Sequence, residues 1–379
     1  MSASGTVLLA PDPAVPERDA LLAPTTDALP VPATSVEVLR CKYRVGESLR
    51  VVYRVDGVRL ISVRAGGGRR PRWWVFPNDR RLRDLRALLQ PEPMWSLAAS
   101  LGWHRSEVVE YAPERSLTVR AVDRSGATVG YAKRYAPGSR DVGALAARYA
   151  ATATHLGASP VSSPRPLAWA ADLLVLEAMR GTMLAELGVV ADRAARLGLA
   201  IASLHGASPP PAAPAFDRLT AGRLSGAAAA IERAIPDLAD GTRGLLDALL
   251  RRDRPTRERV FLHGDYHPKN TLVDGDHVAL IDLDQAGTGP AAADLGGFVA
   301  RGCVATLLGR QGPLEEASVA SAFLAGYASV RRAPTDAELR WHTAAALLGE
   351  QAVRAVSRVR ADVLAVLPSI VERAHEVLG

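Results

Sequence analysis

The chain has 379 residues, 48% of them hydrophobic, and a formal net charge of +6, which is enough for two lobes and an extra element around a sizeable core. No apolar run reaches the ~18–20 residues of a membrane helix, and the N-terminus lacks the basic region that opens a signal peptide. No helix-turn-helix, zinc or RNA-binding signature accompanies the basic residues crowded between Arg64 and Arg86. These features describe a cytoplasmic protein with no membrane or nucleic-acid partner, in which the widely separated Cys41 and Cys303 stay reduced. Oligomeric state is not encoded in any feature of the chain.

Residues 1–35 are rich in Pro, Ala, Ser and Thr without periodicity, and are expected to form a disordered tail. Residues 36–100 read as an N-terminal extension or cap. Within it, Tyr43-Arg-Val-Gly-Glu-Ser48-Leu49-Arg-Val51 is like Tyr111-Ala-Pro-Glu-Arg-Ser116-Leu117-Thr-Val119 further on. Either the first is a degenerate copy of the second, with Arg64 standing where the second has Lys133, or two hairpins share a short pattern by chance. Asn78 to Leu89 reads as a helix linking them.

Residues 101–180 hold alternating segments at Glu107 to Glu110 and Leu117 to Val122, a turn at Asp123-Arg-Ser-Gly126, and a strand from Thr128 to Tyr135 carrying Lys133. Arg supplies nearly all the basic charge, and Lys42, Lys133 and Lys269 are the only lysines. A Lys kept against that background suits a compact point charge on phosphate. Asp141 to Leu156 is a helix with Val142, Leu145, Tyr149 and Ala153 on one face and Ser139 as N-cap. Leu173 to Gly181 is an apolar strand running into a turn. Residues 181–379 read as mainly helical: Asp192 to His205 ends at Gly206, Thr335-x-x-Glu338 and Ser369-x-x-Glu372 have the capping-box pattern, and Trp341 to Arg360 is a long amphipathic stretch with Pro368 ending that region.

The most informative stretch is Phe261-Leu-His263-Gly264-Asp265, followed by Asn270, a predicted hairpin around Asp274-Gly275, and Ile281-Asp282-Leu283-Asp284. A tight hairpin there brings Asn270 and Asp282 together at its open end. Both are hard oxygen donors that suit Mg²⁺. Asp265 sits one loop earlier, free to face an attacking hydroxyl. The same spacing is used for phosphoryl transfer, where the protein chiefly positions groups and neutralises charge.

With Gly264 where protein kinases carry Arg, and with Pro290-Ala-Ala-Ala-Asp294-Leu295 downstream, the chain resembles the aminoglycoside phosphotransferase and choline kinase-like superfamily. The resemblance implies an α+β, two-lobed protein kinase-like fold, with a small β-rich N-lobe and a larger helical C-lobe. It implies an ATP- and Mg²⁺-dependent kinase, with GTP as the alternative nucleotide, that phosphorylates a hydroxyl of a small polar molecule. It assigns Asp265 as catalytic base, Asn270 and Asp282 as metal ligands, and Lys133 and Ser116 to the nucleotide phosphates. The backbone at Glu177, Ala178 and Met179 takes the adenine edge, and Asp294 either props the catalytic loop or caps its helix.

Asp284 is a second metal contact or a solvated acid. No Glu lies between Glu114 and Glu177 to pair with Lys133. Asp141 substitutes for it, serves the helix dipole, or the pair is absent, and this leaves a nucleotide-binding pseudokinase as the alternative function. Tyr327 and Trp341 are the few C-terminal aromatics available for a choline cage. Glu315, Glu316, Asp336, Glu338 and Glu350 serve a cationic aminoglycoside only if they share a pocket, and Arg354, Arg358 and Arg360 interrupt them. The acceptor expected on these grounds is a neutral or weakly basic sugar-like molecule.

Overall fold

Residues 36–75 alternate Val, Leu, Tyr and Ile with Arg and Ser, the pattern of strands with one buried face. They fold as an antiparallel meander of β1 (Val36–Arg44), β2 (Ser48–Val55), β3 (Arg59–Gly66) and β4 (Arg69–Val75). The structure is a computed structural model and describes residues 9–90, 96–157, 160–210, 213–216, 218–252 and 259–379. A second antiparallel sheet follows, built from β5 (Arg105–Ala112), β6 (Ser116–Val122) and β7 (Thr128–Tyr135). After the helix Val142–Leu156 come β8 (Val161–Ser162), β9 (Pro166–Ala170) and β10 (Leu173–Leu176), giving the order β5-β6-β7-β10-β9.

The rest is largely helical. β11 (Thr182–Met183), β12 (Arg259–Leu262), β13 (Thr271–Asp274), β14 (His277–Leu280) and β15 (Gly287–Pro290), together with β8, form two small sheets, β11-β13-β14-β8 and β12-β15, among helices that include Ala191–His205, Ala221–Ala234, Ala292–Leu307, Pro313–Ala328 and Asp336–Ala346. A β-rich part and a helical part are therefore both present, as the fold class required. Among the described residues no helix is long and apolar enough to cross a membrane.

The tail expectation does not hold for residues 9–35. Leu9, Val15 and Leu21 join the core formed by Tyr53, Leu224, Leu347 and Ile370. Arg18 is 2% exposed and donates to the carbonyls of Leu9 and Ala10, while the hydroxyls of Tyr43 and Tyr53 donate to Asp12 and the Leu21 carbonyl. Polar side chains anchor this segment at single points, so it needs no hydrophobic periodicity. Residues 1–8 lie outside the described residues.

The linking helix is shorter than expected, spanning only Leu85–Leu89. Asp79 instead accepts from the N–H groups of Arg81 and Leu82, which turns the chain there. Asp141, not Ser139, caps the Val142–Leu156 helix by accepting from Ala144 N–H. Thr335 and Glu338 form their capping box, whereas the last helix starts at Leu367 with Pro368 in its first turn, so Ser369 caps nothing.

The two like sequences occupy matching positions in their sheets. Tyr43 pairs with Leu49 and Tyr111 with Leu117, and each connecting loop has a left-handed middle residue, Gly46 at φ +73° and Glu114 at φ +59°. Arg50 opposes Arg64 as Thr118 opposes Lys133, so Arg64 stands at the place of Lys133.

Candidate active site

The loop after β12 is held from beneath. Asp294, in the first turn of the Ala292–Leu307 helix, accepts from the N–H groups of His263 at 2.7 Å and Gly264 at 3.0 Å, and meets His205 Nε2 at 3.1 Å. The buried His263 ring bonds the Ile281 carbonyl at 3.0 Å. Gly264 has φ +76°, and a Cβ there would lie 2.2 Å from the Gln285 carbonyl oxygen. This explains why the Arg of protein kinases is absent. Gly264→Ala should lower stability by at least about 2 kcal/mol, from left-handed strain plus the clash. Urea denaturation measures it, and an unchanged midpoint would show that the loop relaxes freely.

The hairpin forms as expected, with Asp274 opposite His277 and Gly275-Asp276 as its two-residue loop. At its open end Ile281 N–H donates to the Asn270 carbonyl at 3.0 Å. The Asn270 side-chain N–H donates to the Asp265 carbonyl at 3.0 Å, leaving its amide oxygen for another partner. Asp282 adopts φ +60°, the left-handed conformation that Asp tolerates better than most residues and that clusters at functional sites.

Lys133 resolves the question of the missing glutamate. Its ammonium lies 2.6 Å from Asp284 and 3.2 Å from Asp282. Burial opposes its charge, but Asp284 and then Asp282 hold its pKa above the ordinary lysine value. Burial raises the Asp282 pKa against the pull of Lys133, and the Asp284 carboxylate adds to that rise. Asp284 is buried, receives the Tyr135 hydroxyl at 3.0 Å, and its carbonyl accepts from Arg140. It is therefore neither solvated nor free. Asp141 is occupied as a helix cap and is not among the partners of Lys133 in the described residues.

Asp265 lies in a cage of arginines. Arg218, Arg301 and Arg354 approach its Oδ1 at 3.3, 3.4 and 3.2 Å, and Arg218 also reaches Glu350 at 3.4 Å. Glu350 belongs to a π-helical turn, Leu347–Ala352, that continues directly into the Val353–Arg358 helix carrying Arg354. Such turns often sit at functional sites. Burial works against an Asp265 charge, yet Arg218, then Arg354, His267 and Arg301, hold its pKa well below the carboxylate range. His267 is pushed down to about 3 by burial and by Arg301, so it is neutral at pH 7.

The sequence model of the phosphotransferase enzyme family (APH) matches residues 118–342, more than half of the chain. The chain belongs to this family. No curated protein matches it. Among solved structures it is similar to amicoumacin kinase hAmiN in complex with AMP-PNP, Ca²⁺ and Ami, at TM-score 0.55 and 14% identity over 78% of this chain and 94% of that one. It is also similar to spectinomycin phosphotransferase APH(9)-Ia in complex with ADP and spectinomycin, at TM-score 0.54 and 13% identity over 77% and 98%. A choline/ethanolamine kinase family protein from Mesorhizobium loti gives TM-score 0.50 and 17% identity over 78% and 93%. At these identities the likeness is one of fold.

The match to the phosphotransferase family begins inside β6, so the β1–β4 sheet precedes it. That sheet grips the glycine-free loop at Tyr111 to Ser116. Glu114 is 3% exposed and pairs with Arg50 at 2.9 Å and Arg64 at 3.2 Å. Asp79 accepts from the Tyr111 hydroxyl at 2.6 Å and the Glu114 N–H at 2.8 Å. Arg64, at the place equivalent to Lys133, thus holds a loop. Ser116 opens β6 half-buried. Asp79→Ala would leave Glu114 N–H unpaired, at a cost of about 1–3 kcal/mol, and should raise the nucleotide KM more than it lowers kcat. Steady-state kinetics tests this, and an unchanged KM would separate loop order from nucleotide contact.

After β10, Glu177 N–H is already bonded to the Arg165 carbonyl at 2.9 Å. The Glu177 carbonyl and Met179 N–H have no backbone partner among the described residues. This leaves the Glu177 carbonyl and the backbone groups of Ala178 and Met179, not the whole Glu177 backbone, for a ligand edge. Tyr327 and Trp341 are buried, bonding His205 and the Leu249 carbonyl, so neither builds a cage. Glu316 pairs with Arg373 and Glu338 with Thr335, while Glu350 reaches the surroundings of Asp265 through Arg218.

Sequence reasoning missed Arg218 and Arg301. Arg301 lies seven residues after Asp294 on the same helix, which is two turns and the same face, and that spacing was the available signal. Arg218 lies just before the Ala221–Ala234 helix, where no local pattern marks it.

Proposed function

We propose that this member of the phosphotransferase family uses ATP and Mg²⁺ to phosphorylate a hydroxyl of a small polar molecule. The observation that supports this best is a division of labour around one loop. Lys133 reaches Asp282 and Asp284, while Asp265, tied to Asn270 through its carbonyl, faces the arginines of the helical part. Asn270 and Asp282 fit Mg²⁺, which is usually bound through one or two carboxylates plus substrate phosphates and retained waters. Among the described residues no cluster of three or more His, Cys, Asp or Glu competes as a metal site.

When bound, the magnesium nucleotide supplies the activated γ-phosphoryl group. Lys133 neutralises phosphate charge, and the loop at Tyr111 to Ser116 covers it. Asp265 orients the acceptor hydroxyl. The hydroxyl oxygen bonds to phosphorus as the bond to the β,γ-bridging oxygen breaks, and its proton leaves by way of Asp265 to water. Arg218, Arg354 and Arg301 keep Asp265 ionised, ready to orient the hydroxyl and to accept its proton late in the transfer, which suits a loose transition state. The pseudokinase alternative rests on the missing helix Glu; against it stands that Lys133 has acidic partners in Asp284 and Asp282 without one.

The experiment is acceptor-dependent ADP formation with a panel of sugars, sugar acids, aminocyclitols and choline, with Mg²⁺ and with chelator. Acceptor-dependent turnover that vanishes with chelator is expected. Nucleotide binding with no acceptor-dependent ADP across the panel would favour the pseudokinase.

A further inference from the structure

Charge around Asp265 is unbalanced towards the positive. Three guanidiniums, from a turn and two separate helices, converge on one carboxylate oxygen, opposed among the described residues by Asp265 itself and Glu350. The excess extends outward. Arg358 follows Arg354 by one turn on the same helix, and that helix packs against β1, which carries Lys42. A small pocket beside it is lined by Arg40, Lys42, Arg50 and Arg115. Arg40 pairs with Glu110 and Arg50 with Glu114; Lys42, Arg115 and Arg358 make no ion pair within 4 Å among the described residues, and Glu110, already paired with Arg40, is the one acid whose charge acts on Arg115 and Arg358. Lys42 is pushed down to about 8 by burial and by Arg358, Arg115, Arg44 and Arg354. Grouping cations that outnumber their counter-charges is costly where they are half-buried, as Lys42 and Arg358 are, and a bound anion offsets that cost.

The position of the excess decides which ligand is concerned. Arg218, Arg301 and Arg354 touch Asp265, the group that faces the acceptor, and not the Lys133–Asp282–Asp284 cluster that faces the nucleotide, while the outer cations border the loop at Tyr111 to Ser116, whose Ala112, Pro113 and Arg115 line the same pocket. The Oδ1 they occupy is also an oxygen that an attacking hydroxyl would use. A neutral acceptor offers the guanidiniums nothing better than Oδ1, and a polycationic one is repelled. An anionic group takes over their N–H donors through charge-assisted bonds and releases Oδ1 to the hydroxyl.

We propose that the acceptor is an anionic polyol, a sugar phosphate or a sugar acid, whose charged group is held by Arg354, Arg358 and Lys42 while its hydroxyl faces Asp265. This replaces the neutral sugar expected from the sequence, and it rests on the phosphotransferase reading above. The transferred group and its balance are those already given.

The test uses the full chain saturated with magnesium AMP-PNP, so that the nucleotide site is filled. Glucose, glucosamine, glucose 6-phosphate and glucuronate are titrated by calorimetry. At least one of the two anions should bind at least about tenfold more tightly than glucose, with glucosamine the weakest. A preference for glucose 6-phosphate or for glucuronate identifies which anionic group the site takes. Arg354→Ala and the milder Arg358→Gln should each bring the ratio of anion to glucose affinity towards one, with circular dichroism confirming the fold. Equal or tighter binding of glucose or glucosamine, no binding of either anion, or a ratio unmoved in both variants would overturn the proposal. Failure of AMP-PNP itself to bind would instead strike at the phosphotransferase reading, and the two failures are read from separate titrations.

Discussion

Replacing Asp265 with Asn will lower phosphoryl transfer by about 10²–10⁴-fold, the usual cost of losing a positioned proton acceptor, while magnesium-nucleotide affinity stays close to normal. Asn keeps the size of Asp and one acceptor oxygen, but loses the charge that Arg218, Arg301 and Arg354 share at 3.2–3.4 Å. Lys133, Asp282 and Asp284 lie in a separate set of contacts, so nucleotide binding has no reason to change. Near-normal turnover would remove Asp265 from the mechanism.

The same variant carries a stability signature. The folded-state pKa of Asp265 is depressed below its unfolded value, so its ionised form stabilises the fold above the ordinary carboxylate pKa. That contribution fades as pH falls below ~4 towards the folded value. The variant should therefore melt lower than the native protein at neutral pH, and the gap should close as pH drops from ~4. A gap independent of pH would mean that the arginines do not depend on the Asp265 charge.

Replacing Asp282 with Ala should abolish magnesium-dependent nucleotide binding and activity together, by at least about 100-fold in activity, since even outer-shell changes at metal sites cost 10–100-fold. Lys133 keeps Asp284 at 2.6 Å, so the local fold has a remaining ion pair. Ala is poorly suited to φ +60°, which makes Asp282→Asn the necessary companion. Asn accepts that backbone, and it should still lose most of the Mg²⁺ dependence because the carboxylate charge is gone. Titration of Mg²⁺ against a fluorescent nucleotide reads both variants. An unchanged Mg²⁺ requirement would place the metal elsewhere.

Much of the site is local and was therefore legible. His263, Asp265, Asn270 and Asp282 fall within twenty residues, and the hairpin between them is written in an alternating pattern around a glycine turn. Hydrophobic periodicity likewise located the helices at Val142–Leu156 and Ala191–His205 to within a residue. The anchoring of residues 9–35 was not legible, because it depends on Arg18, Asp12 and two tyrosines meeting across strands rather than on any repeat.

The sequence by itself determined the spacing of the loop, the hairpin and the strand lysine, because each is a matter of covalent distance and backbone period. Only the tertiary structure decided the partners. Lys133 meets Asp284 across 150 intervening residues, and Arg218, Arg301 and Arg354 converge on Asp265 from a turn and two helices. The Arg64 at the Lys133-equivalent position turns out to clamp Glu114. Electrostatic contacts of this kind have no sequence period, since a long arginine side chain can reach its partner from many backbone positions, and only the packed arrangement of strands and helices selects which one it takes.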